Sequence, residues 1–350
     1  MKARRFTAER SGTRIVFATG CSAAIAQEAE RLGVSRVLVL CSPRRTADAA
    51  LLVDRLGSRV VGTLPIATEH VPAATVSLAL EEADRTRADA LLALGGGSAL
   101  GLGKAVAAHR QLRLIAVPTS YSGSEMTPIY GVTEGADKRT ARDERVRPAL
   151  VLYDPALTIA LPVQTSVESL WNAMAHCVEA LWWPDADPVA LLAGEHGLRT
   201  IVEAMPALVL RPDDVAAREQ ALLGAYIAGI ALGDTGTALQ HKLAHLLGGS
   251  FGLPHAATHA VLLPHVVRYN TQAAPAAAAT IASVLGVVDS SLGLLALAQR
   301  VGAPTRLDAL GFSPAYVDTA VDKLLTMPMQ NPRKLERSAL RALLSAACSS

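Results

Sequence analysis

Residues 90–110 read ALLALGGGSALGLGKAVAAHR, and they set the architecture of the N-terminal half. The apolar run ALLAL (90–94) meets Gly95, Gly96, Gly97 and Ser98, and a helix-like segment, KAVAAHR, follows from Lys104. Strand, glycine-rich turn and helix form the local plan by which backbone N–H groups and a helix N-terminus take up a phosphate. Glycine permits positive φ and close backbone approach at such a turn, and Ser98 supplies a hydroxyl or a helix cap. The spacing is neither G-x-G-x-x-G nor a Walker A, so a tight ligand-free βα turn is the competing reading.

The same plan recurs on both sides. RVLVLCS (36–42), SRVVGTL (58–64) and LRLIAVPTS (112–120) are short apolar runs, and AAIAQEAERLG (23–33) and TVSLALEEADRTRA (75–88) are helix-like stretches between them. Alternating strands and helices imply βαβ units and a parallel sheet covered on both faces. The loop PTSYSGSEMTP (118–128) is rich in hydroxyls, and it follows the strand next in sequence to the glycine turn. Two such loops at one sheet edge make a nucleotide crevice, with Gly95, Gly96, Gly97, Ser98, Thr119, Ser120 and Ser124 as cofactor-binding candidates. Ser42, at the end of RVLVL, joins them. No acid stands there to hold a ribose 2′-hydroxyl, and Arg44 or Arg45 would tolerate a 2′-phosphate, so the form of dinucleotide stays open. The basic stretch 137–147, interleaved with acids, reads as a solvated loop.

Beyond residue 155 strand-like runs cease, and Ala- and Leu-rich stretches with helical spacing replace them, as in ESLWNAMAHCVEALWW (168–183) and REQALLGAYIAGIALG (218–233). The expected organisation is an α/β dinucleotide-binding domain over 1–155 and an all-helical catalytic domain over 156–350, with chemistry in the cleft between them. A chain of 350 residues is long enough for two cores, and a hydrophobic content of 51% rules out disorder. With a formal net charge of +2 and no basic block, no nucleic-acid surface is expected. Four scattered cysteines without a CxxC pair point to reduced thiols in a cytoplasm. The N-terminus lacks the apolar run of a signal peptide, and the polar and Pro-containing segment 269–288 does not read as a membrane span, so no membrane partner is expected.

LQHKLAHLLGGSFGLPH (239–255) carries His241, His245 and His255, the first two on one face of a helix. WNAMAH adds Asn172 and His176, again four apart. Asn172, His176, His241 and His255 are thus four polar side chains able to converge. His259 and His265 either face the same site or line a helix end.

These residues resemble the iron-containing alcohol dehydrogenase superfamily: GGGS followed by Lys104, the PTSYSGSE loop, YDP at 153–155, the Asn/His pair and the H-x3-H-x9-H segment occur in the family's order along nearly the whole chain. The resemblance implies an N-terminal α/β domain, a helical C-terminal domain (the dehydroquinate synthase-like arrangement) and a homodimer. It maps the family's metal ligands, one Asp and three His, onto Asn172, His176, His241 and His255, with His245 as a further active-site histidine. Two departures stand out: Asn172 replaces the ligand carboxylate, and Gly101 stands where GGGS-x-x-D-x-x-K has Asp. Both are similar to the maleylacetate reductase branch, as are 118–135 and NPR at 331–333.

Members of that branch reduce the carbon–carbon double bond of maleylacetate to 3-oxoadipate with NADH or NADPH in the degradation of aromatic compounds. The resemblance therefore implies a metal-free site, although a three-histidine zinc site stays physically open and a metal-dependent alcohol dehydrogenase on the same scaffold is the alternative. The chemistry suits the substitution. Hydride addition to an alkene conjugated to a ketone places negative charge on the ketone oxygen, which hydrogen-bond donors stabilise without a metal, and a histidine then protonates carbon. His176, His241, His245, His255 and Asn172 are the catalytic candidates. Tyr121 and Arg333 are the substrate-binding candidates, Arg333 because a guanidinium grips a carboxylate of the small dicarboxylate bidentately.

Overall fold

The computed structural model describes residues 6–135 and 137–349. They divide into two compact units, one running to Leu161 and including Asp213–Leu222, the other formed by Pro162–Pro212 and Leu223–Ser350.

In the first unit the expected alternation of strand and helix is realised as β1 (Phe6–Arg10), β2 (Thr13–Phe17), α1 (Ile25–Arg31), β3 (Val37–Cys41), α2 (Thr46–Leu56), β4 (Val60–Leu64), α3 (Ala73–Thr86), β5 (Ala90–Gly95), α4 (Gly97–Arg110), β6 (Arg113–Pro118), β7 (Ile129–Glu134), β8 (Asp137–Arg142) and β9 (Leu150–Tyr153). Seven strands form one sheet in the order β1-β2-β9-β6-β5-β3-β4, parallel except for the β1–β2 hairpin. Strands β3, β5 and β9 are buried along their whole length, because helices cover both faces of a parallel sheet and every position then favours an apolar side chain. Each Leu or Val so buried contributes about 1.5–3 kcal/mol.

The chain runs from β3 outward to β4 and returns to place β5 on the other side of β3. This reversal of strand order opens a crevice at the carboxyl ends of β3 and β5. The charged stretch 137–147 is not simply a loop: Asp137–Arg142 pairs antiparallel with β7. A two-stranded ribbon needs only one partner strand for its backbone, so exposed charges such as Arg139 and Arg142 do not prevent pairing.

The helical elements are α5 (Val163–Leu181), α6 (Pro188–Leu210), α7 (Val215–Asp234), α8 (Leu239–Phe251), α9 (His255–Asn270), α10 (Pro275–Leu285), α11 (Ser290–Val301), α12 (Val317–Leu325) and α13 (Arg337–Ser349). Beyond Tyr153 no strand occurs among the described residues. The first two turns of α7 count with the first unit and the remainder with the second. In the second unit α5 packs on α6, α8 and α9, and α8 packs on α9. Helix α10 stops at Gly286, where φ is +67°. At 11 residues it is far shorter than the roughly 20 that cross a bilayer.

Candidate active site

The cofactor candidates converge at the carboxyl ends of three adjacent parallel strands. Ser42 follows β3, Gly95 closes β5, and Thr119 and Ser120 follow β6. Gly95 adopts φ +146°, and the Thr119 N–H donates to its carbonyl at 3.0 Å, which ties the two loops together. A Cβ on Gly96 would sit 2.6 Å from Ser120 Oγ, so glycine is required there for loop packing whatever binds. Gly97 differs: a Cβ there would meet nothing within 4 Å. The N-terminus of α4 has no side-chain cap and no acid in its first turn, so its free N–H groups and dipole suit a phosphate. The donors of this crevice fit a dinucleotide.

Lys104, buried on α4, donates to the Ser124 carbonyl (2.6 Å), Ser124 Oγ (3.3 Å), Thr127 Oγ1 (3.1 Å) and the Ile129 carbonyl (2.9 Å). It thereby holds the second loop against α4, and Ser124 is committed to this contact. Burial pushes the Lys104 ammonium down to about 7, with Glu125 opposing the shift. Gly101 is explained by packing: a Cβ there would lie 2.8 Å from Val71 Cγ2, so an aspartate does not fit without displacement. Tyr121 is fully buried, and Arg218 Nη1 donates to its hydroxyl at 3.2 Å while Arg218 Nη2 donates to the Leu161 carbonyl at 3.0 Å. Beyond β3, Arg45 pairs with Asp48 at 2.9 Å, and Arg44 is exposed.

In the second unit the histidines do come together. His176 on α5 stacks on His241 of α8 with ring centroids 4.6 Å apart and planes 12° apart. His241 lies 4.5 Å from His259 of α9, His259 lies 4.7 Å from His255, and His255 stacks on His245 at 5.3 Å. The cluster is graded in depth. His176, His241 and His259 are buried, whereas His245 and His255 are half-buried.

Two residues outside the five catalytic candidates adjoin the cluster. Glu179, one turn after His176 on α5 and fully buried, lies with Oε2 2.6 Å from His241 Nδ1. Its Oε1 accepts the N–H groups of Gln240 (2.8 Å) and His241 (3.3 Å), so one carboxylate caps the first turn of α8 and orients the imidazole. The signal was present as the H-x-x-E spacing of His176 and Glu179, which puts both on one helix face. His259 is the other. Gln240 Nε2 donates to its Nδ1 at 3.1 Å, which places the ring proton on Nε2. Burial, reinforced by the charges of the neighbouring histidines, holds His259 well below the usual imidazole range. His241 Nε2 and His259 Nε2 are both buried and hydrogen-bond to nothing among the described residues, as expected of groups that await a ligand.

The donor set does not fit a resident metal as it stands. A metal lies near the plane of each imidazole that binds it at roughly 2.0–2.1 Å, and two stacked, nearly parallel rings such as His176 and His241 share no such point. Asn172 Nδ2 approaches His176 Nε2 at 3.4 Å, occupying that lone pair with an amide donor. Among the described residues no group of three or more His, Cys, Asp or Glu is arranged to hold an ion.

The structure does not bring Arg333 to these histidines. Its guanidinium stacks over Tyr269 at 4.4 Å near the C-terminal end of α9. His255 opens the same helix fourteen residues earlier, about 21 Å away at a rise of roughly 1.5 Å per residue. The adjoining Asn331 exchanges amide hydrogen bonds with Asn270 at 2.8 and 3.0 Å, so NPR serves to dock the C-terminal segment. His265 also stands apart, since six residues turn it to another face of α9 from His259.

Residues 12–155 match the family model of iron-containing alcohol dehydrogenase, and residues 166–348 match that of the Fe-containing alcohol dehydrogenase family, C-terminal. The chain is 46% identical over 331 residues to a maleylacetate reductase of Burkholderia cepacia, covering 95% of this chain and 94% of that one. Crystal structures of maleylacetate reductases from Agrobacterium tumefaciens (TM-score 0.93, 43% identity, 99% and 98% of the two chains) and Rhizobium sp. strain MTP-10005 (TM-score 0.92, 44% identity, 99% of each) superpose over almost the full length. With both halves matched and these relatives spanned nearly end to end, the chain belongs to the iron-containing alcohol dehydrogenase family.

Proposed function

We propose that this protein reduces the carbon–carbon double bond of maleylacetate to 3-oxoadipate with NADH or NADPH, without a resident metal. The observation that carries the metal-free step is the buried Glu179–His241 pair, whose free Nε2 belongs to a cluster with no convergent metal geometry. The relatives named above support the substrate.

A nicotinamide, when bound, would supply the hydride that the alkene carbon β to the ketone takes up. Charge then collects on the ketone oxygen, where His241 donates from Nε2. The second proton on His241 makes an imidazolium–carboxylate pair with Glu179 rather than an isolated buried charge, which would be far more costly. His259 acts as a neutral Nε2–H donor beside it. The half-buried His245 or His255, in reach of water, returns a proton to the α-carbon. Asn172 contributes an amide where a carboxylate would repel a dianionic substrate.

We read the enzyme as a cytoplasmic homodimer acting on a small dicarboxylate, without nucleic acid or membrane. All four cysteines are free and buried, which suits a reducing compartment. The test is loss of NADH or NADPH absorbance with maleylacetate, repeated after chelation. Activity that survives chelation is the expected result. Activity restricted to simple alcohols and abolished by chelation would instead establish a metal-dependent alcohol dehydrogenase.

A further inference from the structure

A dicarboxylate needs a fixed cation beside the reacting atoms, and with Arg333 held on Tyr269 that cation must come from elsewhere. Several other cations of the second unit are already engaged, and Arg268, Arg300 and Lys334 are exposed. Lys323 donates to Ser250 Oγ at 3.1 Å and lies over the Phe251 ring. Arg306, Arg337 and Arg341 pair with aspartates at the surface.

Lys242 is different. It follows His241 directly on α8, is half-buried, and its ammonium has no hydrogen-bond or ion-pair partner among the described residues. Along α8 the less buried positions Lys242, His245 and Gly249 are spaced i, i+3 and i+7, so they form one stripe. Cβ atoms three apart on a helix are about 5–6 Å from each other, which sets Lys242 beside His245 and hence beside the His245–His255 stack. One turn further on, a Cβ at Gly249 would meet nothing within 4 Å, so the stripe stays open. This is the half-buried margin of the cluster whose floor is His176, His241 and His259.

We propose that Lys242 binds a carboxylate of the substrate and selects a dianion over a monoanion, a role that rests on the function proposed above. The ammonium gains the partner it lacks, and the bound carboxylate at the margin orients the ketone oxygen toward His241 Nε2.

The test compares wild type, Lys242→Met and Lys242→Arg in steady-state reduction of maleylacetate, with succinate and butyrate as competitive dianionic and monoanionic inhibitors. A hydrogen bond to a charged group is typically worth a factor of about 10–100 in affinity. Lys242→Met is therefore expected to raise the maleylacetate KM by about that factor, to leave the NADH KM unchanged, to lower kcat by less than KM rises, and to abolish the preference for succinate over butyrate. Lys242→Arg, which keeps the charge, is expected to retain most of that preference. A Lys242→Met enzyme with wild-type maleylacetate KM and undiminished preference for succinate overturns the proposal, as does an equal rise in both KM values. If wild type itself fails to reduce maleylacetate, the function proposed above falls and this role with it. If wild type turns over and the Lys242 variants are indistinguishable from it, Lys242 alone is misassigned.

Discussion

Glu179 Oε2 lies 2.6 Å from Nδ1 of His241, and both side chains are buried. The contact fixes the ring's orientation and leaves Nε2 without a hydrogen-bond partner among the described residues. Glu179→Gln keeps the shape but removes the charge that balances an imidazolium. It is expected to lower kcat by about 10²–10⁴-fold, the range typical of general acid–base catalysis, with NADH binding intact by titration. Glu179→Ala also uncaps α8 and is expected to cost roughly 2–4 kcal/mol of stability, read as a lower Tm. Near-normal kcat in the Gln variant would remove His241 from the proton chemistry.

Metal content is the second test. With stacked rings and Asn172 at the only position where the family has a carboxylate, the purified protein is expected to hold well under one equivalent of zinc or iron by elemental analysis. Asn172→Asp supplies the missing anionic donor and is expected to raise zinc affinity about tenfold or more, given that carboxylate oxygen is a regular zinc ligand. Stoichiometric metal in the wild type, with activity lost on its removal and restored on its return, would refute the proposed mechanism.

Gly96 and Gly97 separate packing from ligand approach. Gly96→Ala is expected to lower Tm because its Cβ collides with Ser120. Gly97→Val meets open space in the protein and is expected to weaken NADH binding about tenfold or more, by denying the pyrophosphate its approach to the helix N-terminus, while Tm stays within a few degrees. An unchanged NADH dissociation constant in Gly97→Val would place the phosphates elsewhere.

The depressed His259 has a definite pH signature. In the unfolded chain its imidazole takes up a proton near pH ~6.5, but in the folded protein it stays neutral well below that. Above ~6.5 neither state is protonated and the group is silent. As pH falls below ~6.5 the unfolded state binds the proton first, so stability declines, by up to about 1.4 kcal/mol per pH unit, until the folded value is reached. His259→Asn is expected to flatten the decline of Tm between pH ~6.5 and ~4.5. Parallel Tm profiles for the two proteins would show that His259 is not held neutral.

Periodicity made most of the first unit legible. VLVLC, ALLALG and RLIAVP are strands because a parallel sheet buried on both faces accepts only such runs. The glycine turn announced itself because positive φ and close approach restrict the residue type locally. The β7–β8 ribbon escaped because its charged, solvated side chains carry no burial pattern, and its pairing rests on backbone hydrogen bonds alone.

The i,i+4 spacing of His241 and His245, and of Asn172 and His176, was enough to put each pair on one helix face. Spacing specifies direction about a single axis and nothing more. That His176 and His241 stack instead of converging, that Glu179 lies under His241, and that His259 is sealed while His245 is half open all depend on how α5, α8 and α9 pack. The sequence by itself determined the two-part architecture, the glycine-rich turn and the set of imidazoles. The tertiary structure alone decided ring planes, buried partners and depth, and it carried Arg333 to the far end of α9. Those are relations between side chains on different helices, and no one-dimensional pattern encodes the distance or the solvent between them.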